Sequence, residues 1–278
     1  MQTDNGAVSP SETRMEMLRL SARGYAQIRH VLVQLPDTGA PRASTLSRMV
    51  SQRKHRALVL YMLLLASWPW LAERRDPLQG DVWIRALTTS KGLTWTASSL
   101  SRAWGDLADL GLVEKKREER LLRVVPRRED AAVPYDPPRG RTDRWNAYFV
   151  LPDSFWLDEH FAHLSLPALA MLLIVAKETN AKAETWLTYE NCDEWYGLKP
   201  QTVKKGLKEL QTIGLLHRRI EKLKAPLSPT GWTVRMWYSL TGDFGYEARV
   251  ALRKRAAGEL QSRIAKTSTK NTKEVSAR

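Results

Sequence analysis

The chain has 278 residues, 43% of them hydrophobic, and 44 lysines and arginines against 30 aspartates and glutamates, a formal charge of +14. That length suits two compact domains, and the positive balance favours a polyanionic partner, nucleic acid ahead of an anionic membrane surface. A single cysteine, Cys192, excludes an intramolecular disulfide, and the longest apolar run, "ALVLYMLLLA" from Ala57 to Ala66, is about half of what spans a bilayer, so a cytoplasmic, nucleoid-associated protein with no membrane partner is expected.

In chain order, the N-terminus "MQTDNGAVSP" is polar and lacks a signal-peptide core. Residues 1–24 read as a flexible arm or an isolated helix. A first domain is expected over 25–126. Its apolar run reads as a buried helix, and "VWIRALTTSKG" at 82–92 as the next one. "TWTASS" at 94–99 offers N-cap oxygens. Leu100, Ala103 or Trp104, Leu107 and Leu110 then recur at steps of three and four, the buried stripe of a helix that Gly111 ends. "LVEKKREERLLRVVP" at 112–126 reads as a charged hairpin. Residues 127–144 are rich in proline and charge, the composition of a solvated linker.

A second domain is expected over 145–245. Ser165 can cap a helix through "LPALAMLLIVAKE", with Pro167 in its first turn. "ETWLTY" at 184–189 predicts a short strand, and "ENCDEWYG" at 190–197 a short helix stopped by Gly197. Lys199-Pro200 opens a helix whose stripe is Val203, Leu207, Leu210 and Ile213. The stretch 215–224 is extended and basic, "APLSPTG" is turn material, and Trp232 to Leu240 alternates with period two. Residues 246–278 read as a basic helix that passes into a disordered tail.

The two halves echo one another. "VLVQLPD" at 31–37 matches "YFVLPD" at 148–153, and the helix from Ala57 matches the one from Ala168. Gly92-Leu93 matches Gly197-Leu198. "SSLSRAWGDLADLGLV" from Ser98 matches "QTVKKGLKELQTIGLL" from Gln201. The matches keep their order, and their offsets shrink from 116 to 103 residues, which points to a duplicated unit.

Two helices joined by a tight turn and followed by a hairpin form the winged helix-turn-helix pattern. "TASSLSRAWGDLADLGLV" and "KPQTVKKGLKELQTIGLL" resemble its recognition helix. Small polar residues come first, then a central aliphatic, a later leucine and Gly-Leu before the wing. The overall plan, two copies in one basic chain, resembles plasmid replication initiators. The resemblance implies a mainly α fold with small β-hairpins (α+β), two tandem winged-helix domains joined by the charged linker, and sequence-specific binding of double-stranded DNA.

A recognition helix puts its N-terminal half into the major groove. On the second such helix the outward residues are Lys199, Gln201, Thr202, Lys204, Lys205 and Lys208. Gln201 suits adenine and a lysine suits guanine. On the first, Thr96, Ser98, Ser99, Ser101 and Arg102 take the early outward positions, although N-capping alone accounts for one or two of them. The hairpins would bring Lys115, Lys116, Arg117 and Arg120, and Arg218, Arg219, Lys222 and Lys224, to the backbone. Glu114, Glu118 and Glu119 dilute the first set. A lysine face is otherwise simply solvated, and that reading stays open.

No catalytic signature accompanies these residues. There is no phosphate-binding Gly-rich loop and no nucleophile elbow. His160 and His163 form H-x-x-H beside Asp158 and Glu159, half a metal site at most. Trp195 and Trp237 are candidate anchors for a partner. The expectation is a non-enzymatic transcriptional regulator with no cofactor, no metal and no small-molecule ligand. A replication initiator and a winged-helix protein scaffold are the alternatives, and a homodimer would read two sites.

Overall fold

The computed structural model of the chain describes residues 8–36, 42–140 and 143–275. The first half contains α1 (Pro10–Ser21), β1 (Tyr25–Arg29), α2 (Thr45–Ser51), α3 (His55–Leu71), α4 (Gly80–Leu87), α5 (Ala97–Asp109), β2 (Val113–Glu118) and β3 (Leu121–Pro126). The second contains β4 (Tyr148–Pro152), the single turns α6 (Ser154–Leu157) and α7 (His160–His163), and α8 (Leu166–Glu178). It continues with β5 (Thr185–Trp186), α9 (Tyr189–Tyr196), α10 (Pro200–Thr212), β6 (Leu216–Lys224), β7 (Trp232–Leu240) and α11 (Tyr246–Val275). The architecture is mixed α+β, and its described sheets are small and antiparallel: β1-β4, β2-β3 and β5-β7-β6.

The apolar runs set the centres. Ala57–Ala66 is wholly buried within α3, and Ala168–Ala176 within α8. Helices apolar on every side need cover on every side. In each half the helix that precedes the hairpin supplies part of that cover, α5 on α3 and α10 on α8. Both are 13 residues long. Leu100, Ala103, Trp104 and Leu107 are buried on α5, and Val203, Gly206, Leu207 and Leu210 on α10, each pair 103 positions apart. The exits match too. Leu112 donates its N–H to Leu107 and Leu215 to Leu210, both at 2.9 Å. The sheets that follow differ: β5 pairs with β7, whereas among the described residues no third strand lies beside β3.

One sequence echo fails. "YFVLP" is indeed strand β4, but its partner is "YAQIR", running Tyr25↔Pro152 to Arg29↔Tyr148. Residues 30–32 are a 3-10 turn, and Asp37 lies outside the described residues. Ile213 also leaves the expected stripe. It follows the last helical turn of α10 and is 48% exposed.

The halves are joined by reciprocal contacts. The turn between α4 and α5 packs on α7, just ahead of α8. Leu93 donates its N–H to the Ala162 carbonyl at 3.2 Å, and a Cβ on Gly92 would overlap that carbonyl. The turn between α9 and α10 packs on α2, just ahead of α3. Ser47 Oγ donates to the Gly197 carbonyl at 3.1 Å, and a Cβ on Gly197 would lie 2.5 Å from Ser47 Oγ. Both glycines have positive φ, 93° and 63°, where a side chain is strained as well as crowded. Strands β1 and β4, one from each half, complete the join.

Three regions differ from expectation. Residues 10–21, read as a loose arm or an isolated helix, form α1, started by a Ser9–Glu12 capping box and packed through Met17 and Leu18. Its central anchor is polar. Buried Arg14 donates to the carbonyls of Ala86 and Thr88 and pairs with Glu159 at 2.5 Å. Residues 1–7 of that arm lie outside the described residues. The expected solvated linker is strapped down. Glu129 is fully buried and accepts from the Arg29 backbone N–H and from its Nη1, both at 3.0 Å. Arg29 also pairs with Asp136 and lies over the Tyr135 ring. Charge read as solvated is therefore spent on a partner 100 residues away; residues 141–142 lie outside the description. The tail is helical through Val275, where disorder was expected. Buried Arg249 fixes its first turn by donating to the carbonyls of Phe244, Ala176 and Thr179, and propagation from a fixed start is easy. Residues 276–278 are not described.

Gly92→Ala and Gly197→Ala should each cost roughly 2 to 4 kcal/mol, from backbone strain plus overpacking. Gly105→Ala, at a helical position with nothing within 4 Å, should be neutral or stabilising. Thermal melts decide. An unchanged Tm in both joint variants would mean that the halves do not depend on this contact.

Candidate nucleic-acid interface

Close packing sets the rotation of α10. Its first turn carries Pro200, whose missing N–H costs nothing there. Gly206 lies so near the Pro167 carbonyl that any Cβ would overlap it, so α10 presses against the start of α8. Glu209 then grips that start, accepting from the Ser165 N–H at 2.7 Å and from its Oγ at 2.5 Å. Neither residue stood out in the sequence; Gly206 reads as an ordinary weak helix former and Glu209 as a surface charge. With this face fixed, Lys199, Gln201, Lys204, Lys205 and Lys208 are exposed and Thr202 is half-buried.

The same device positions α5. Asp106, 103 residues before Glu209, pairs with Lys54 at 2.7 Å at the start of α3. Trp104 meets Trp83 of α4 edge-on, ring centres 5.4 Å apart. Thr96 and Ser99 form a reciprocal capping box: Thr96 Oγ1 accepts from the Ser99 N–H at 3.2 Å, and Ser99 Oγ accepts from the Thr96 N–H at 2.8 Å. Ser98 Oγ is 3.2 Å from Thr96 Oγ1. These hydroxyls hold the helix end. Ser101 and Arg102 are exposed and have no such task.

The hairpins extend the exposed basic surface. In the first, Lys115, Lys116, Arg117 and Arg120 are exposed. Two of the acids expected to dilute them are engaged elsewhere: Glu114 pairs with Arg127 at 2.6 Å and Glu118 with Arg123 at 2.8 Å. In the second, the register puts Arg218, Lys222 and Lys224 on one face, opposite Tyr238, Val234 and Trp232. Arg219 points to the other face. It pairs with Glu184 at 2.8 Å and lies over the Trp237 ring, so it braces the hairpin. The two tryptophans expected as partner anchors are also committed. Trp237 donates its indole N–H to Glu221 at 2.7 Å, and half-buried Trp195 packs against the core.

Among the described residues, no carboxylate lies within ion-pair distance of Lys199, Lys204, Lys205, Lys208, Lys115, Lys116, Arg117, Lys222 or Lys224. His55, at the start of α3, is pushed down to about 4 by burial and by neighbouring Arg56. It is neutral at pH 7 and adds nothing to the basic surface. His160 packs its ring against Phe244, and Glu159 is committed to Arg14. Among the described residues no cluster of His, Cys, Asp and Glu is placed to hold a metal ion. No described helix is long and apolar enough to cross a membrane.

Comparison with protein-family models, with curated proteins and with solved structures gives no match to this chain.

Thr96→Ala should destabilise the protein by about 1 kcal/mol through loss of the cap, whereas Ser101→Ala should leave Tm unchanged. Equal effects in a thermal melt would contradict the division between holding and outward hydroxyls.

Proposed function

We propose that the chain is a sequence-specific double-stranded DNA-binding protein with two tandem winged-helix units. Its role is that of a transcriptional regulator with no catalytic activity of its own. The observation that carries this reading is the match between α5 and α10. Two helices with matching buried faces, 103 residues apart, carry outward residues in their N-terminal halves, Ser101 and Arg102 on α5 and Gln201, Lys204 and Lys205 on α10, that are exposed and, among the described residues, in no ion pair.

In this reading α10 enters the major groove by its N-terminal half. Gln201 pairs with adenine, and Lys204 or Lys205 with guanine. Lys199, Lys208 and the positive end of the α10 dipole take phosphates. On α5, Arg102 reads a base and Ser101 lets the backbone come close. Because the halves are joined, both helices meet one duplex, with centres about one helical turn, roughly 34 Å, apart. Their outward residues differ, so the site is asymmetric.

A replication initiator is the second reading, and the doubled unit together with the basic C-terminal helix supports it. One protomer can then read a whole non-palindromic site, and such sites can stand in tandem beside an origin.

Selection from a random duplex library followed by gel shift tests the proposal. The wild type should enrich one sequence. Lys204→Glu with Lys205→Glu should weaken binding roughly 100-fold with an unchanged Tm. Failure to enrich any duplex, or full affinity in the double variant, would sink the assignment; the first outcome would favour a protein scaffold.

A further inference from the structure

The second hairpin carries more than lysines. Its strands are nine residues each, against six in the first hairpin. From Arg218 to Lys224 β6 leaves the core, a reach of about 20 Å at the usual rise of a strand. Along that reach Ile220, Trp232 and Val234 are each at least half exposed, and Leu227 at the tip is completely exposed. Ile220, Trp232 and Val234 share their face with Arg218, Lys222 and Lys224. Scattered apolar side chains on a surface are ordinary, but a row of them interleaved with uncompensated cations is not.

The tip is built to hold its shape. Ser228 donates its N–H to Ala225 at 2.9 Å, and Gly231 to Ser228 at 3.0 Å, which makes two consecutive turns. Each has proline at its second position, Pro226 and Pro229, where the ring pre-sets φ. Ala225 also donates to the Gly231 carbonyl at 2.8 Å, which closes the loop. Leu227 is thus the third residue of a pinned turn, and ordering it on binding costs little. The first hairpin has nothing like it; Glu119 and Arg120 form its tip.

We propose that Leu227, backed by Pro226, is an apolar wedge that enters the minor groove and partly unstacks one base step, bending the DNA. Lys222 and Lys224 hold the phosphates that flank it. The chemistry is that of leucine and proline wedges in general, which kink a duplex by roughly 20 to 90°. Pyrimidine–purine steps, the easiest to unstack, are the expected point of entry. The inference rests on the DNA-binding reading and adds a deformation that the recognition helices do not require.

The test uses the full chain and the duplex enriched in the library selection. The duplex carries end labels for energy transfer and 2-aminopurine at the steps beside the second half's footprint. Wild type should shorten the end-to-end distance and brighten one 2-aminopurine. Leu227→Ser should bind within about tenfold of wild type but leave the duplex straighter and the probe quenched. Leu227→Phe should restore both signals. Leu227 has no buried surface to lose, so Tm should hold in both variants. A bend and probe signal unchanged in Leu227→Ser would overturn the wedge. So would a loss of self-association in sedimentation with the bend intact, which would assign the tip to a second copy of the chain. If wild type enriches no duplex, the DNA-binding reading itself has failed; if it binds and leaves the DNA straight, only the wedge has.

Discussion

The molecule depends on two glycine turns that dock in opposite directions. Gly92 seats the first half's inter-helix turn against Ala162, and Gly197 seats the second half's against Ser47. Each turn rests on the segment that leads into the other half's buried helix, as in an isologous interface closed within one chain. Only a residue without Cβ, tolerant of positive φ, allows the backbones this near. The turn is also the point from which α5 or α10 departs. Fixing the turns therefore fixes where both outward faces lie.

Buried ions reinforce this join. Arg14 ties α1 and the end of α4 to Glu159 of the second half, and Arg29 in β1 holds the segment after β3 through Glu129. Such pairs return little net stability against an apolar replacement, but removing one partner strands a charge and costs about 3 to 5 kcal/mol. Their value here is in register. Each long arginine finds several oxygens in one place only, which specifies how β1, β4 and the connecting segment meet. Among the described residues the exposed lysines of α10 and the hairpins have no such partners.

Much of this was readable where the signal is local. Gly197 and Gly214 mark helix ends, Ser165 caps α8, and the period-two alternation from Trp232 to Leu240 is strand β7. What was hidden is long-range. Nothing in "PRREDAAVPYDPPRGRTD" shows that Glu129 will be buried against Arg29, because composition reports average solvation and not a partner 100 positions away. Arg14 makes α1 look polar when it is that helix's anchor. The outward faces were partly legible: the stripe on α10 leaves its lysines outside. The capping of Thr96 and Ser99 and the bracing role of Arg219 needed their partners in view.

The most direct measurement is a hydroxyl-radical footprint of a single protomer on its selected duplex. It is repeated after inserting half a helical turn, about 5 base pairs, between the two protected segments. The account requires two protected patches on one face of the DNA, about 10 base pairs apart, and a large loss of binding on insertion. One patch, or two patches that separate freely with the insertion at unchanged affinity, would show that the halves do not act as one reader.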